Sequence, residues 1–275
     1  MKIPNNLTKL YGIIGYPLNH TLSPYIHNTW FEKKNINALY LVFEQKEENF
    51  RKFVTGLKEI GVQGFNITLP YKQKIMKYLD ELDGDANNIG AVNTVVRREN
   101  KFIGYNTDAY GFFQAFKKAF PNSPIKSKKV LLLGAGGASP AVTYALLSHG
   151  AEVTIVNRTL TKAKKLQKKF NFLFPQKVKT LVLDFQILKK NNDFDFIVNT
   201  TSYGLKGEKK PLLSLDFAKK GTKIFDIIYG VKTPLIRSAM ERNFVFSDGK
   251  MMLIYQAEKA FRIWGFSKPD ISLVL

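Results

Sequence analysis

The sequence predicts an α/β protein made of two α/β units, and three observations carry that prediction. The first is an apolar run, Val130, Leu131, Leu132 and Leu133, followed at once by Gly134-Ala135-Gly136-Gly137. The second is the alternation of short apolar runs and helical segments that continues from there, giving that part of the chain six candidate strands. The third is a separate β-α-β-α-β-α alternation over residues 11–80, upstream of the glycines. Such alternation builds sheets with helices packed on their faces.

Residues 11–16 (YGIIGY) read as a strand that stops at Pro17. Ser23-Pro24 then reads as a serine cap with proline at the first helical position, placing a helix at 24–34. A strand at 39–44, a helix at 49–60, and a short strand from Gly64 running into a proline-started helix at 71–80 follow. Residues 91–96 and 102–105 form a hairpin across the turn 98–101, and Asn106-Thr107-Asp108 caps a helix at 109–120. Residues 121–129 form a loop into the central strand 130–133, which leads to a helix at 140–149 and a strand at 153–156. Candidate strands at 180–183, 194–199, 223–228 and 244–246 complete the second set of six. Thr233-Pro234 starts another helix, to residue 242. The last helix, 250–264, aligns Leu253, Ala257, Ala260, Phe261 and Trp264 on one face.

Strand, glycine turn, helix and second strand form the first unit of a dinucleotide-binding, Rossmann-type fold. Glycines let the backbone approach a pyrophosphate, and the following helix offers free N–H groups and a partial positive charge. An NAD site usually carries a carboxylate near the end of the second strand to hold the ribose 2′-OH. Here that place holds Asn157, Arg158 and Thr159, with Lys162 close behind. A carboxylate would repel a 2′-phosphate and a guanidinium pairs with one, so NADP is expected. The same turn also occurs in α/β proteins without a nucleotide, and in that case Arg158 is only solvated.

Composition narrows the partners. The 275 residues contain no cysteine, which excludes disulfides and thiolate metal sites. The three histidines, His20, His27 and His149, show no ligand spacing, so no metal is expected. The formal charge of +20, from 42 basic against 22 acidic side chains, is spread along the chain. Its densest part, Lys162, Lys164, Lys165, Lys168 and Lys169, reads as the wet face of a helix with Ala163, Leu166 and Phe170 opposite. No aromatic side chains interleave it for base stacking, so small anionic ligands are expected and nucleic acid is not. The uncharged stretch 130–151 contains four glycines and Pro140, which fits a buried βαβ unit and not a membrane span. Residues 1–9 show no apolar secretory core, so a cytoplasmic location is expected.

Polar side chains gather where strands meet helices, the usual ligand edge of α/β folds. They are Thr21, Ser23, Asn66, Thr68, Lys72, Asn93 and Asp108. Hydroxyls, amides, one ammonium and one carboxylate suit a small polyhydroxylated acid. Each has a plainer role as well. Ser23 can simply cap its helix, Thr107 and Asp108 theirs, and Asn66 and Asn93 can satisfy buried backbone groups. Lys72 would fall in the first turn of a helix, where the dipole disfavours a cation, and this points to use. Gln256 lies beside the apolar face of the last helix.

These motifs resemble the shikimate dehydrogenase family over nearly the whole chain. The likeness rests on residues 15–24 (GYPLNHTLSP), 64–72 (GFNITLPYK), 90–94 (GAVNT), 104–108 (GYNTD) and 134–138 (GAGGA). It extends through Asn157-Arg158-Thr159, residues 199–204, Asp226 with Tyr229, and Asp248-Gly249 to Gln256. The resemblance implies reversible reduction of 3-dehydroshikimate to shikimate by NADPH in aromatic amino-acid (chorismate) biosynthesis. It implies an N-terminal α/β substrate domain (1–108), a Rossmann-type NADP-binding domain (109–249) and a C-terminal helix (250–275) returning to the substrate domain. Lys72 and Asp108 would be the catalytic pair. Thr21, Ser23, Asn66, Thr68, Asn93, Tyr229 and Gln256 would bind substrate with them. Gly134, Ala135, Gly136, Gly137, Ala138, Asn157, Arg158, Thr159, Lys162, Thr200, Ser202, Ile227 and Gly249 would bind the cofactor. A monomer or homodimer is expected. The family's Ser-x-Ser is Thr21-Leu22-Ser23 here, which keeps the hydroxyl and adds a methyl. A quinate-using enzyme with NAD is the nearest alternative. A non-catalytic nucleotide sensor or nucleic-acid binder is another, and the presence of both Lys72 and Asp108 argues against it.

Overall fold

Strand pairing separates the chain into two sheets, each of six strands. The computed structural model describes residues 3–18, 21–181, 188, 190 and 192–275. Two units result: Met1–Tyr110 together with Ile254–Leu275, and Gly111–Leu253.

In the first unit, β1 (Lys9–Gly15) leads to α1 (Ser23–Lys33), β2 (Ala38–Glu44), α2 (Phe50–Glu59) and β3 (Gly64–Ile67). A two-residue strand β4 (Glu81–Leu82), α3 (Gly84–Ile89) and the hairpin β5 (Thr94–Arg98) and β6 (Lys101–Tyr105) complete the sheet, in the order β2-β1-β3-β5-β6-β4. β1 runs parallel to both β2 and β3, whereas β5 is antiparallel to β3 and to β6. One face packs on Phe50, Val54, Leu57, Tyr71 and Ile75, with the Phe50 and Tyr71 rings stacked 4.1 Å apart. The C-terminal part of the last helix belongs to this unit. Its Phe261 and Trp264 pack against Tyr11, His27, Trp30 and Phe31. The Trp264 indole donates to the Val95 carbonyl at 3.0 Å. Truncating a buried ring of that size costs about 3–5 kcal/mol, so this packing anchors the end of the chain.

The expected helix at 71–80 is replaced by a short 3-10 turn, Lys74–Tyr78, followed by β4. The cause lies in the backbone. The carbonyl of Lys72 accepts from Val92 N–H at 2.8 Å, so it is not available to an i+4 partner and an α-helix cannot propagate from it. Lys72 therefore does not stand in a helical first turn, and the dipole argument for its use falls. The segment 84–89, unmarked in the sequence, is helical, capped by the Asp83 carboxylate on Asp85 N–H.

The second unit contains α4 (Asp108–Ala119) beyond Tyr110, then β7 (Lys129–Leu133), α5 (Ser139–Ser148), β8 (Glu152–Val156), α6 (Leu160–Leu173) and β9 (Val178–Leu181). β10 (Phe196–Asn199), β11 (Lys223–Asp226), α7 (Pro234–Glu241), β12 (Val245–Ser247) and the first turn of α8 (Lys250–Ile263), as far as Leu253, follow. The strands run β12-β11-β10-β7-β8-β9 and all five pairings are parallel. Order reverses at β7, which is the Rossmann arrangement and places the ligand edge at the carboxyl ends of the strands. α5 is apolar all round because eight of its ten residues are buried. α6 buries Ala163, Leu166 and Phe170 and exposes Lys162, Lys164, Lys165 and Lys168 as expected, whereas Lys169, expected on the wet face, is half-buried. The candidate strand at 180–183 begins two residues earlier, and its residues 182 and 183 lie outside the described set, as does His20. Among the described residues no helix is long and apolar enough to cross a membrane.

Candidate active site

In the first unit, the carboxyl ends of β1 and β3, the start of β5 and the N-terminus of α4 bring the predicted residues together. Lys72 Nζ lies 2.6 Å from Asp108 Oδ2, with both side chains largely shielded (15% and 9% exposed). A shielded ion pair is a poor way to gain stability, because desolvation offsets most of the attraction. Chemistry is the better reason to keep one.

Asp108 is free to make this contact because another residue caps its helix. The Asn106 side chain accepts from the N–H groups of Asp108 (3.1 Å) and Ala109 (3.4 Å). The second oxygen of Asp108 accepts from Asn93 Nδ2 at 2.8 Å. Thr107 does not cap either. Its hydroxyl accepts from Asn93 Nδ2 at 2.9 Å and lies 3.4 Å from Gln256 Oε1 on α8. Asn93 also reaches Gln256, at 3.4 Å, and its Oδ1 accepts from Thr107 N–H at 2.7 Å.

One chain of hydrogen bonds runs through these groups in a single donor direction. Tyr40 donates to Asn66 Oδ1 at 2.7 Å, and Asn66 Nδ2 donates to Thr94 Oγ1 at 3.0 Å. Thr94 donates to Asn93 Oδ1 at 3.1 Å, and Asn93 donates to Asp108. Hydrogen bonds aligned in series polarise one another. The expectation that Ser23 caps α1 fails: Leu22 occupies that position without a side-chain cap, and Thr21 Oγ1 instead accepts from Ser23 N–H at 3.3 Å. Thr68, half-buried, is fixed by its backbone to Ile14 and Tyr71.

Sequence reasoning passes over Tyr40, and Thr94 enters it only inside a motif. Both are wholly buried polar side chains, and the weak signal available was a hydroxyl in an otherwise apolar strand.

In the second unit, Gly134 adopts φ +108°, and a Cβ there would stand 2.9 Å from Thr200 Oγ1 and Thr201 Cγ2. The fold itself therefore demands glycine at 134. At Gly136 a Cβ would meet nothing within 4 Å, so the fold makes no such demand. The bare backbone there suits the close approach of a ligand. α5 begins beside it with no side-chain cap on its N-terminal N–H groups. Asn157 is structural in this arrangement, accepting from Ala135 N–H at 3.2 Å and donating to the Thr159 carbonyl at 2.8 Å. Ser139, not singled out by its sequence context, accepts from Gly136 N–H at 3.0 Å and bonds Thr200 Oγ1 at 2.7 Å. Gly137 and Ala138 are half-buried, while Arg158, Thr159, Lys162 and Ser202 are at the surface. Thr159 does not cap α6 with its side chain. Ile227 N–H donates to the Asn199 carbonyl, and Gly249 N–H to that of Ile228. Half-buried Tyr229 has its phenol pKa pushed up by burial.

The glycine turn, an uncapped helix N-terminus and exposed cations after β8 fit a phosphorylated dinucleotide. Among the described residues no group of three or more His, Cys, Asp or Glu side chains is placed to hold a metal.

Two family models match the chain. "Shikimate dehydrogenase substrate binding domain" covers residues 13–95, and "Shikimate / quinate 5-dehydrogenase" covers residues 115–210. A shikimate dehydrogenase (NADP(+)) of Bacillus cereus is 42% identical over 270 residues, spanning 96% of this chain and 95% of the relative. The crystal structure of shikimate dehydrogenase from Aquifex aeolicus superposes with a TM-score of 0.90 at 40% identity, covering 98% of this chain and 97% of the other. A shikimate dehydrogenase solved in complex with NADP+ gives a TM-score of 0.91 at 36% identity, covering 98% and 94%.

Proposed function

Since the chain belongs to the shikimate dehydrogenase family, we propose that it catalyses the reversible NADPH-dependent reduction of 3-dehydroshikimate to shikimate, in aromatic amino-acid biosynthesis. The observation that carries the reading is the shielded Lys72–Asp108 pair, wired through Asn93 to the amides and hydroxyls around it. We assign residues 1–108 to substrate binding and catalysis, 109–249 to NADP, and 250–275 to the returning helix. The setting is the cytoplasm, with the enzyme acting as a monomer or homodimer and binding no nucleic acid.

When bound, the nicotinamide supplies or accepts the hydride. Lys72 does the proton work: its ammonium donates to the ketone oxygen during reduction and stabilises the negative charge developing there. In the reverse direction the amine takes the hydroxyl proton. Asp108 holds Lys72 in place and accepts from a ring hydroxyl. Thr21 and Ser23 donate to the substrate carboxylate, and Asn66, Thr68, Asn93, Tyr229 and Gln256 hold the ring. Gly134, Ala135, Gly136, Gly137, Ala138 and the start of α5 hold the pyrophosphate, with Asn157 fixing the turn. Arg158, Thr159 and Lys162 hold the 2′-phosphate, while Thr200, Ser202, Ile227 and Gly249 contact the remainder of the dinucleotide.

Quinate with NAD is the second reading, motivated by Thr21, whose extra methyl alters the carboxylate end. Parallel assays of shikimate and quinate with NADP+ and NAD+ decide between them. The highest kcat/KM is expected for shikimate with NADP+. A higher value for quinate with NAD+ overturns the proposal.

A further inference from the structure

We propose that Asp226 is a positioning residue for the nicotinamide half of the cofactor. Its carboxylate ties together the ends of β10 and β11 and the start of α7. The inference rests on the NADP reading above and adds a residue to it.

Strand order fixes which half of the dinucleotide is concerned. The glycine turn for the pyrophosphate follows β7, and Arg158, Thr159 and Lys162 for the 2′-phosphate follow β8. A dinucleotide extends both ways from its pyrophosphate. With its adenosine end toward β8, its nicotinamide end crosses the carboxyl ends of β10, β11 and β12, on the other side of β7. Thr200 and Ser202 follow β10, Ile227 follows β11 and Gly249 follows β12.

Asp226 supports all four. It is 0% exposed, and burial pushes its pKa up. A buried carboxylate is costly unless it is well bonded. Among the described residues its hydrogen-bond partners are all neutral donors. Asn199 Nδ2 (2.9 Å) and Ile228 N–H (3.1 Å) donate to Oδ1, and the Thr233 hydroxyl donates to Oδ2 at 2.7 Å. Each belongs to a different segment. Asn199 ends β10, and its Oδ1 accepts from the Thr201 N–H (3.0 Å) and hydroxyl (2.7 Å). Thr201 Oγ1 in turn accepts from Tyr203 N–H at 3.2 Å, so the turn carrying Thr200 and Ser202 is held at residues 199, 201 and 203. Ile228 closes a turn over Ile227, and its carbonyl accepts from Gly249 N–H at 3.0 Å. A Cβ at 249 would overlap the Ile227 carbonyl, so the turn and residue 249 are seated directly on each other. Thr233 caps α7 by accepting from Ile236 N–H at 3.2 Å. A carboxylate suits this place because it only accepts and every partner donates. An asparagine would have to present its NH2 to one of those donors.

The test is binding to the whole protein without shikimate, followed by titration calorimetry with two ligands. One is NADPH, and the other is adenosine 2′,5′-bisphosphate, the adenosine half alone. Asp226→Asn should raise the dissociation constant for NADPH about 10-fold or more, the lower end for a hydrogen bond to a charged group. It should leave that for the bisphosphate unchanged. A merely structural role would weaken both ligands or neither. An unchanged dissociation constant for NADPH, or an equal loss for both ligands, overturns the inference. If Asp226→Asn does not fold, Thr201→Val leaves the carboxylate in place and cuts the link onward from Asn199. It should show the same split at about 3- to 10-fold, the effect of one neutral hydrogen bond, and the same two results overturn the inference. A wild type that binds neither ligand overturns the NADP reading itself, so the two failures are distinguishable.

Discussion

Lys72 and Asp108, 36 positions apart in sequence, meet at 2.6 Å inside the first unit, and a third residue, Asn93, holds the carboxylate from its other side. The pair sits where a strand, a hairpin and a helix start converge. Its members are freed for each other by two local substitutions of duty. Asn106 caps the helix in place of Asp108, and the Lys72 carbonyl accepts from Val92 instead of continuing a helix.

Asp108→Asn keeps the shape of the side chain and removes its charge. We expect kcat for shikimate oxidation to fall by at least about 100-fold, because the ammonium loses its anchor. The loss should be strongly non-additive with that of Lys72→Ala, as for groups that act as one unit. Steady-state kinetics of both single variants and the double variant check this.

Arg158 is exposed at the end of β8, in the place where an NAD site carries a carboxylate. Arg158→Ala should lower kcat/KM for NADPH by roughly 10- to 100-fold, the worth of a charged hydrogen bond to phosphate. With NADH the same substitution should change little. An equal loss with both cofactors would remove Arg158 from the 2′-phosphate.

His27 is wholly buried among Trp30, Tyr40, Phe261 and Trp264, and neither ring nitrogen has a hydrogen-bond partner among the described residues. Burial pushes its pKa down from 6.5 to about 3. The folded state therefore keeps the ring neutral, while the unfolded chain takes up a proton below pH 6.5. Stability from this group is full above pH 6.5 and is lost as pH falls toward 3. Between about pH 6.5 and about pH 5 the loss is on the order of 2 kcal/mol. Urea midpoints at the two pH values, for the wild type and His27→Phe, should show a shallower pH dependence in the variant.

Much of this was legible in the sequence. The six parallel strands of the second unit follow from apolar runs spaced by helical segments, and the Rossmann order follows from the glycine turn after the first of them. Lys72, Asn66, Asn93 and Asp108 stood out because they fall where strands meet helices, the usual ligand edge of α/β folds. The hydrogen-bond accounting was not legible. Whether Asp108 or Asn106 caps α4 depends on backbone geometry at one turn, and either residue type can do it. The missing helix at 71–80 has the same origin, since the partner of the Lys72 carbonyl is Val92, far along the chain. Tyr40 and Ser139 were silent because a hydroxyl in an apolar strand or at a helix start reads as ordinary packing or capping.

Proton transfer by Lys72 is tested most directly by Lys72→Ala, with kcat and KM for shikimate measured separately at saturating NADP+. A fall in kcat of at least about 100-fold is expected, the low end for a group that moves a proton in the transition state. A kcat close to wild type with only a raised KM would make Lys72 a binding residue and contradict its role in proton transfer.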